Sequence, residues 1–192
     1  MGEQKIDPSY ETARTHYLSA RTELVERIKL REHILLFYIG AVGTALGLAF
    51  GKVGIGVEIL LALPIVSFSV AILVAQHNSF IGYLGQFCAE ELEDFYTKNN
   101  IHVPQWDNSN SNKEFDEIAI LMRMIGHCAI ILIPAIASLI LNINCNVFSS
   151  SRLLVVWIVD SILIIISYLF LFMSYKQRKE TFMQRFVKKK CK

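Results

Sequence analysis

The chain has 192 residues, of which 53% are hydrophobic and 19% are charged, and its formal net charge is +2. Soluble domains usually carry about 25% charged residues, whereas the charges of this chain are almost absent from four long apolar windows. This distribution excludes a soluble globular enzyme, a disordered chain and a disulfide-stapled secreted module. It leaves an all-α membrane protein with several spans.

The four apolar windows are residues 34–51, 55–75, 124–143 and 153–174. About 20 apolar residues in a helix cross the hydrocarbon core of a bilayer, and all four windows are of that length. Glu58 and Asp160 are the only Asp, Glu, Lys or Arg residues inside them. Because lipid offers no hydrogen-bond partner to the backbone, each window must be helical. The sequence therefore predicts a four-transmembrane-helix bundle.

The orientation follows from the positions of Lys and Arg. Seventeen of these residues lie in segments 1–33, 76–123 and 175–192, and the other two are Lys52 and Arg152. Cytoplasmic segments are the ones enriched in Lys and Arg. Both termini and the middle segment are therefore expected in the cytoplasm, and the first span is expected to be an uncleaved anchor.

This orientation divides the chain into five parts. Two transmembrane hairpins, 34–75 and 124–174, alternate with a cytoplasmic amphipathic helix at 1–33, a cytoplasmic helical loop at 76–123 and a basic cytoplasmic tail at 175–192. The outer connections are short, so the surface that contacts partners or signals is expected on the cytoplasmic side.

The helices are predicted to extend beyond the membrane as a stalk. Tyr10, Tyr17 and Leu24 recur every seven residues, with Ala13 and Ala20 beside them on the same face of a helix. Apolar residues at helical spacing also continue the second span, and these are Phe80, Leu84, Phe87, Cys88, Leu92 and Phe95. The two stripes are expected to bury each other. After a polar loop around Trp106, the capping-box spacing at 111–114 predicts the start of the next helix.

The tail has three interpretations. Its basic residues include Lys176, Arg178, Lys179, Lys188, Lys189 and Lys190. They are expected to face the lipid headgroups and bind anionic lipids, or to neutralise the acidic middle segment. A basic tail is also what the positive-inside rule alone produces. Nucleic-acid binding is not expected.

A glycine face on the first span is the candidate helix-packing or oligomer contact. Gly43, Gly47 and Gly51 follow one another at intervals of four residues. Such faces allow close approach of helix backbones in lipid. Two interpretations remain open: packing against the second span of the same chain, or contact between copies in a homo-oligomer.

The candidate intramembrane polar residues are Glu58, Arg123, His127 and Asp160. A carboxyl group such as that of Asp160 is costly in lipid and is expected to face protein, in a structural hydrogen bond or on an ion path. Arg123 and His127 are expected at the inner interface. The centre of the membrane offers only serines, so an ion path is weakly supported.

No catalytic, cofactor or metal motif is present. The sequence has no phosphate loop, no paired-histidine zinc motif and no nucleophile elbow. Its four cysteines, Cys88, Cys128, Cys145 and Cys191, have no metal or redox spacing. An enzyme and a cofactor are therefore not expected.

Several short motifs in the first half of the chain resemble those of uncharacterised bacterial multi-span proteins. They are Tyr17 with Arg21, the run 27–31 (Arg-Ile-Lys-Leu-Arg), Leu63-Pro64, His77-Asn78, the run 81–84 (Ile-Gly-Tyr-Leu) and Trp106. The resemblance implies an inner-membrane protein. By analogy with small multi-span effectors of anti-phage defence, it also implies a defence-associated role.

Together these features favour an oligomeric inner-membrane protein with a cytoplasmic interaction module. Its most specific expected role is a pore-forming or membrane-disrupting effector controlled from the cytoplasm. The second interpretation is a scaffold or accessory subunit that recruits a cytoplasmic partner. The third is a small channel or transporter that uses Asp160 and Glu58.

Overall fold

The computed structural model describes residues 8–51, 56–99, 110–144 and 150–190, and these are almost entirely helical, with no strand among them. The long helices are α1 (Pro8–Phe50), α2 (Ala62–Gln86), α4 (Asn110–Asn144) and α5 (Ser151–Lys190). A 3₁₀ helix at Val57–Leu61 precedes α2, and a π-helical turn at Phe87–Glu91 joins α2 to the short helix α3 (Leu92–Lys98).

The predicted all-α fold is confirmed, and four candidate spans lie among the described residues. They are Pro8–Phe50, Val57–Lys98, Ile118–Ile143 and Ser151–Glu180. Large apolar side chains cover the outside of the bundle, and Phe37, for example, is 82% exposed. Water does not tolerate an apolar surface of this extent, whereas lipid does. These helices therefore indicate a membrane protein.

Helix α2 lies at the centre of the bundle and packs against α1, α4 and α5. Its Val70, Ala71 and Val74 are buried in one apolar core with residues of the other three long helices, among them Leu35 of α1, Ile131 of α4 and Leu171 of α5. The core therefore forms along the middle of the bundle, where all four helices meet.

Contacts at one end of the bundle fix the relative directions of the helices. The rings of Tyr10 and Tyr96 are 6.3 Å apart, and the Gln177 amide donates to the Tyr83 hydroxyl at 3.0 Å. The start of α1, the continuation of α2 and the last part of α5 thus lie at the same end. A chain that runs up and down the bundle an even number of times begins and ends at the same end, as this chain does.

The first part of α1 runs beside the continuation of α2. Ala13 and Ala20 of the predicted heptad stripe are buried, as are Cys88 and Leu92 of the second stripe. Phe80 differs from the rest of its predicted stripe, because it is 41% exposed. The guanidinium carbon of Arg27 lies over its ring, 4.9 Å from the ring centroid, in a cation–π contact.

A π-helical turn in the second stripe was not predicted. The extra residue in this turn shifts the helical register at Phe87–Glu91. As a result, Cys88, Ala89 and Leu92 are all buried. A constant period of 3.6 residues does not anticipate this local change.

The structure adds detail at two of the predicted boundaries. The second span begins with the 3₁₀ helix, after Gly56 at φ +110. Residues 175–190 of the predicted tail are helical and continue α5 to Lys190. The turn at 52–54, the loop around Trp106, Cys145 and Cys191 lie outside the described residues.

Candidate functional site

Polar side chains are gathered inside the bundle at several depths. The buried polar or charged residues include Arg31, Ser67, His77, Asn78, His127, Ser138, Asn142, Asp160, Ser167 and Ser174. They lie on the same helix faces as the apolar core, and the outside of the bundle is covered mainly by apolar side chains. In membrane helices, such inward polar groups are the usual markers of a functional interior.

The spacing along α5 explains how one helix places polar groups at successive depths. Asp160, Ile164, Ser167, Leu171 and Ser174 recur at intervals of three or four residues, and all are buried. This interval keeps side chains on one face of a helix. That face of α5 therefore combines core packing with a column of polar groups.

The largest group lies at the end of the bundle that holds the start of α1. We call Arg31, His77, Asn78, His127 and Tyr175 the inner polar cluster, and all four long helices contribute to it. Each of these side chains is almost completely buried. The cluster thus joins the whole bundle at one level.

Arg31 is the charged centre of the inner polar cluster. Its side chain is 3% exposed, and its Nη1 donates to Oδ1 of Asn78 at 2.8 Å. Its Nε and Nη2 donate to Oε1 of the half-exposed Glu32 at 3.2 Å and 2.6 Å. A buried guanidinium is tolerated only when its donors find acceptors. Asn78 and Glu32 supply them.

His127 and Tyr175 form the second contact of the cluster. The Tyr175 hydroxyl lies 2.6 Å from Nδ1 of His127, and both residues are buried. His127 therefore faces the bundle interior. Arg123, one turn away on α4, is only partly buried.

One polar atom of the cluster, Nδ1 of His77, has no hydrogen-bond partner among the described residues. Buried polar atoms are rarely left unpaired. The cluster thus retains hydrogen-bonding capacity that the described residues do not use.

A smaller polar contact lies in the middle of the bundle. The Tyr38 hydroxyl is 2.6 Å from Oγ of Ser67 and donates to the backbone carbonyl of Ile131 at 3.0 Å. Oγ of Ser67 also lies 2.7 Å from the Leu63 carbonyl oxygen, so its one hydrogen is available either to that carbonyl or to the Tyr38 hydroxyl. Tyr38 thus connects α1, α2 and α4 through one atom.

Replacement of Tyr38 by phenylalanine tests this connection. Tyr38→Phe removes the hydroxyl that bridges three helices, and it should lower the free energy of unfolding by about 1–2 kcal/mol. Equilibrium unfolding in mixed detergent–SDS micelles measures the change. Tyr83→Phe is the control, because Tyr83 is exposed and its hydroxyl accepts a hydrogen bond from the exposed Gln177. An equal change in both variants contradicts a bridging role for Tyr38.

A third set of polar groups lies toward the opposite end of the bundle. Nδ2 of Asn142 donates to the carbonyls of Val57 and Ser138 at 3.1 Å and 2.9 Å. The Trp157 indole donates to the Leu139 carbonyl at 3.1 Å. These bonds tie α4 to the 3₁₀ helix and to α5.

Asp160 is the most unusual residue of this third set. Its side chain is completely buried, and neither carboxyl oxygen has a hydrogen-bond partner among the residues that the structure describes. The structural hydrogen bond expected from the sequence is therefore not formed within the described residues. Glu58, the other predicted intramembrane carboxyl, is exposed on the 3₁₀ helix.

The glycine face of α1 points away from the chain's own bundle. A Cβ atom built on Gly43 or Gly47 meets no neighbouring heavy atom within 4 Å. Packing of these two glycines against α2 is thus contradicted. At Gly51, the residue after α1, a Cβ would lie 2.5 Å from the carbonyl oxygen of Gly47 in the last turn of that helix.

The basic residues of α5 divide into two groups. Lys176 and Lys179 are exposed, and Arg178 is partly buried. Lys176 lies 3.8 Å from the equally exposed Glu180, a pairing worth little in water. Lys188, Lys189 and Lys190 lie on the last part of α5, and their side chains are outside the description.

Sequence reasoning missed most members of the inner polar cluster. Of its five residues, only His127 was a predicted site residue. The available signal was the recurrence of polar residues on the core-facing stripe of each helix, such as Asp160, Ser167 and Ser174 on α5. Pairing between helices, as for Arg31 and Asn78, requires their relative register and cannot be read from one helix alone.

No group of three or more potential metal ligands lies within the described part of the chain. Cys88 and Cys128, which lie in this part, form no disulfide within the described residues. Comparisons with protein-family models, with curated proteins and with solved structures find no match to this chain.

Proposed function

We propose that this chain is a self-associating inner-membrane protein with cytoplasmic termini, and that its assembled form permeabilises the membrane as an effector. The observation that carries the proposal is the unoccupied glycine face of α1 beside a filled bundle interior. The proposal has three steps: the path for ions, the contact between copies and the control of assembly.

The first step concerns the path. The core between the polar levels is filled by apolar side chains that are almost completely buried, including Leu35, Val74, Ile131 and Leu171. Ions do not cross such a packed apolar layer. Permeation by this protein therefore takes place between copies.

The second step concerns the contact between copies. Gly43 and Gly47 have open space around them on the outside of α1. Small residues at intervals of four allow two helix backbones to approach closely in lipid, where van der Waals packing replaces the hydrophobic effect. A second copy of α1 is the partner that such a face suits.

The third step concerns control. The first part of α1 contacts the continuation of α2 through the Tyr10–Tyr96 ring pair and the Arg27–Phe80 contact. Since α1 also carries the glycine face, a cytoplasmic partner that displaces this part of α1 would act on the same helix that joins the copies.

Gly47→Leu is the variant that tests the contact, and Gly126→Leu is its matched control. Gly126 on α4 also has no neighbouring atom within 4 Å, so both substitutions add the same side chain in open space. We expect Gly47→Leu to abolish oligomers of the purified protein and Gly126→Leu to retain them. Mass photometry of the detergent-solubilised chain measures the state.

Induced expression in bacteria with a potential-sensitive dye tests the effector role. The natural chain should depolarise the membrane, and Gly47→Leu should not, although both insert to the same extent by carbonate extraction. Depolarisation by a strictly monomeric Gly47→Leu variant contradicts the model. So does the absence of depolarisation by the natural chain when its neighbouring genes are coexpressed.

A small channel or transporter is the second candidate, favoured by the carboxyl group of Asp160. Carboxyl groups inside the membrane commonly mark ion and proton pathways. In this alternative, Asp160→Asn abolishes ion flux into proteoliposomes, while Gly47→Leu leaves it unchanged. The opposite pattern supports the effector.

A further inference from the structure

We propose that the groove between α4 and α5 is a binding site for one anionic phospholipid of the surrounding bilayer. The inference rests on the proposed function only in its premise that the four helices cross a membrane. The groove has a volume of about 480 Å³. Its two walls differ in chemistry.

The α4 wall of the groove is apolar. Ile118, Leu121 and Met124 line it, and Ile118 and Leu121 are more than half exposed. Phe172 continues the apolar lining on α5, inside the predicted span 153–174. A fatty acyl chain suits this surface, because both are apolar and the groove opens toward lipid.

The α5 wall adds positive charge just beyond the end of that span. Lys176 and Lys179 line the groove, and none of the lining residues that the structure describes is acidic. Phosphate groups lie at this depth in a bilayer, and each basic residue near the surface strengthens attraction to anionic lipid. Along the groove, the apolar lining would contact an acyl chain and the two lysines beyond it would contact the phosphate of the headgroup at the membrane boundary.

A neighbouring groove shows why the charge matters. The groove between α2 and α5 has a similar volume of about 560 Å³ and shares Lys176. Its lining also includes Gln76, Gln177 and Glu180, the acidic residue that lies 3.8 Å from Lys176. Because Lys176 is shared, the difference between the grooves is Lys179, which among the described residues lines the α4–α5 groove alone. This second lysine makes the α4–α5 groove the better match for an anionic headgroup.

The floor of the α4–α5 groove connects to the bundle interior. Tyr175 lines the groove, and its hydroxyl lies 2.6 Å from Nδ1 of the buried His127. A lipid in the groove thus contacts a residue that belongs to the inner polar cluster. Occupancy of the groove is expected to stabilise the His127–Tyr175 pair.

Native mass spectrometry of the full chain in detergent tests the site. Phosphatidylglycerol and phosphatidylcholine with identical acyl chains are the probes. We expect one phosphatidylglycerol to be retained per chain, in preference to phosphatidylcholine. The double variant Lys176→Gln/Lys179→Gln should weaken retention about 25-fold, since each basic residue contributes about fivefold in affinity.

Two further variants separate the groove from general surface charge. Arg14→Gln/Lys29→Gln removes the same charge from exposed positions on α1 and should retain the lipid. Leu121→Trp fills the apolar wall without changing charge and should lose it. Equal retention of the two lipids overturns the proposal, as does equal loss in both charge variants or unchanged binding to Leu121→Trp.

This test is independent of the effector role. A chain that resists carbonate extraction and depolarises cells but retains no phosphatidylglycerol contradicts the lipid site alone. A chain that retains the lipid but never depolarises cells contradicts the effector role alone.

Discussion

Asn78→Leu should lower the free energy of unfolding by about 3 kcal/mol. The substitution removes the acceptor of the Arg31 Nη1 donor, which lies 2.8 Å from Oδ1 of Asn78. Arg31 is almost completely buried, so water cannot replace the lost acceptor. The guanidinium then remains in the bundle with Glu32 as its one remaining acceptor among the contacts described.

Two controls isolate this effect. Asn78→Asp keeps an oxygen acceptor of the same size and should preserve most of the stability. Gln76→Leu places the same new side chain on the exposed side of α2, two residues away, and should change stability by less than about 0.5 kcal/mol. Unfolding in mixed SDS micelles provides the comparison. A loss in Gln76→Leu as large as in Asn78→Leu shows that leucine itself, and not the lost acceptor, is responsible.

Asp160→Leu should stabilise the chain, in contrast to Asn78→Leu, and raise the free energy of unfolding by about 1–3 kcal/mol. The Asp160 carboxyl is buried with neither oxygen hydrogen-bonded, so its burial costs free energy that no contact within the described residues recovers. Leucine has the same branching and adds apolar contact with the core.

Asn142→Leu is the matched control for Asp160→Leu. Asn142 is equally buried, but its amide donates to the carbonyls of Val57 and Ser138. The same replacement should therefore destabilise the chain at this position. Thermal unfolding of the detergent-solubilised variants should show a higher melting temperature for Asp160→Leu and a lower one for Asn142→Leu. A lower melting temperature for Asp160→Leu contradicts the argument, because it reveals a stabilising partner for the carboxyl.

Function is the second readout for Asp160. A residue that destabilises the fold is retained when activity requires it. In the channel alternative, Asp160→Leu combines higher stability with lost ion flux. In the effector model, the same variant is more stable and depolarises cells as the natural chain does.

The four spans were predictable because their signal is local. Length and absence of charge in each apolar window suffice to place a helix, and the heptad at Tyr10, Tyr17 and Leu24 indicated the buried side of the first part of α1. The inward faces of the spans were harder to predict. Lipid and protein core both accept apolar side chains, so the hydrophobic pattern alone does not separate the two sides of a span.

Contacts between helices could not be predicted from the sequence for a different reason. The Arg31–Asn78 bond joins residues 47 positions apart, and the Tyr38 contact with the Ile131 carbonyl joins residues 93 apart. Each depends on the relative height and rotation of two helices. The π-helical turn at Phe87–Glu91 also changes the helical register locally. It contains no proline or glycine that would have indicated this change in the sequence.

The unbroken course of α5 has a mechanical consequence. Its 40 residues correspond to a rod of about 60 Å, since an α-helix rises about 1.5 Å per residue. A rod transmits rotation about its axis, whereas a flexible linker would absorb it. Torque applied at the basic end of α5 is therefore delivered to Tyr175, Ser167 and Asp160, which share one face of the same helix. Docking of that end on a membrane surface or a protein would turn the interior polar groups as a unit.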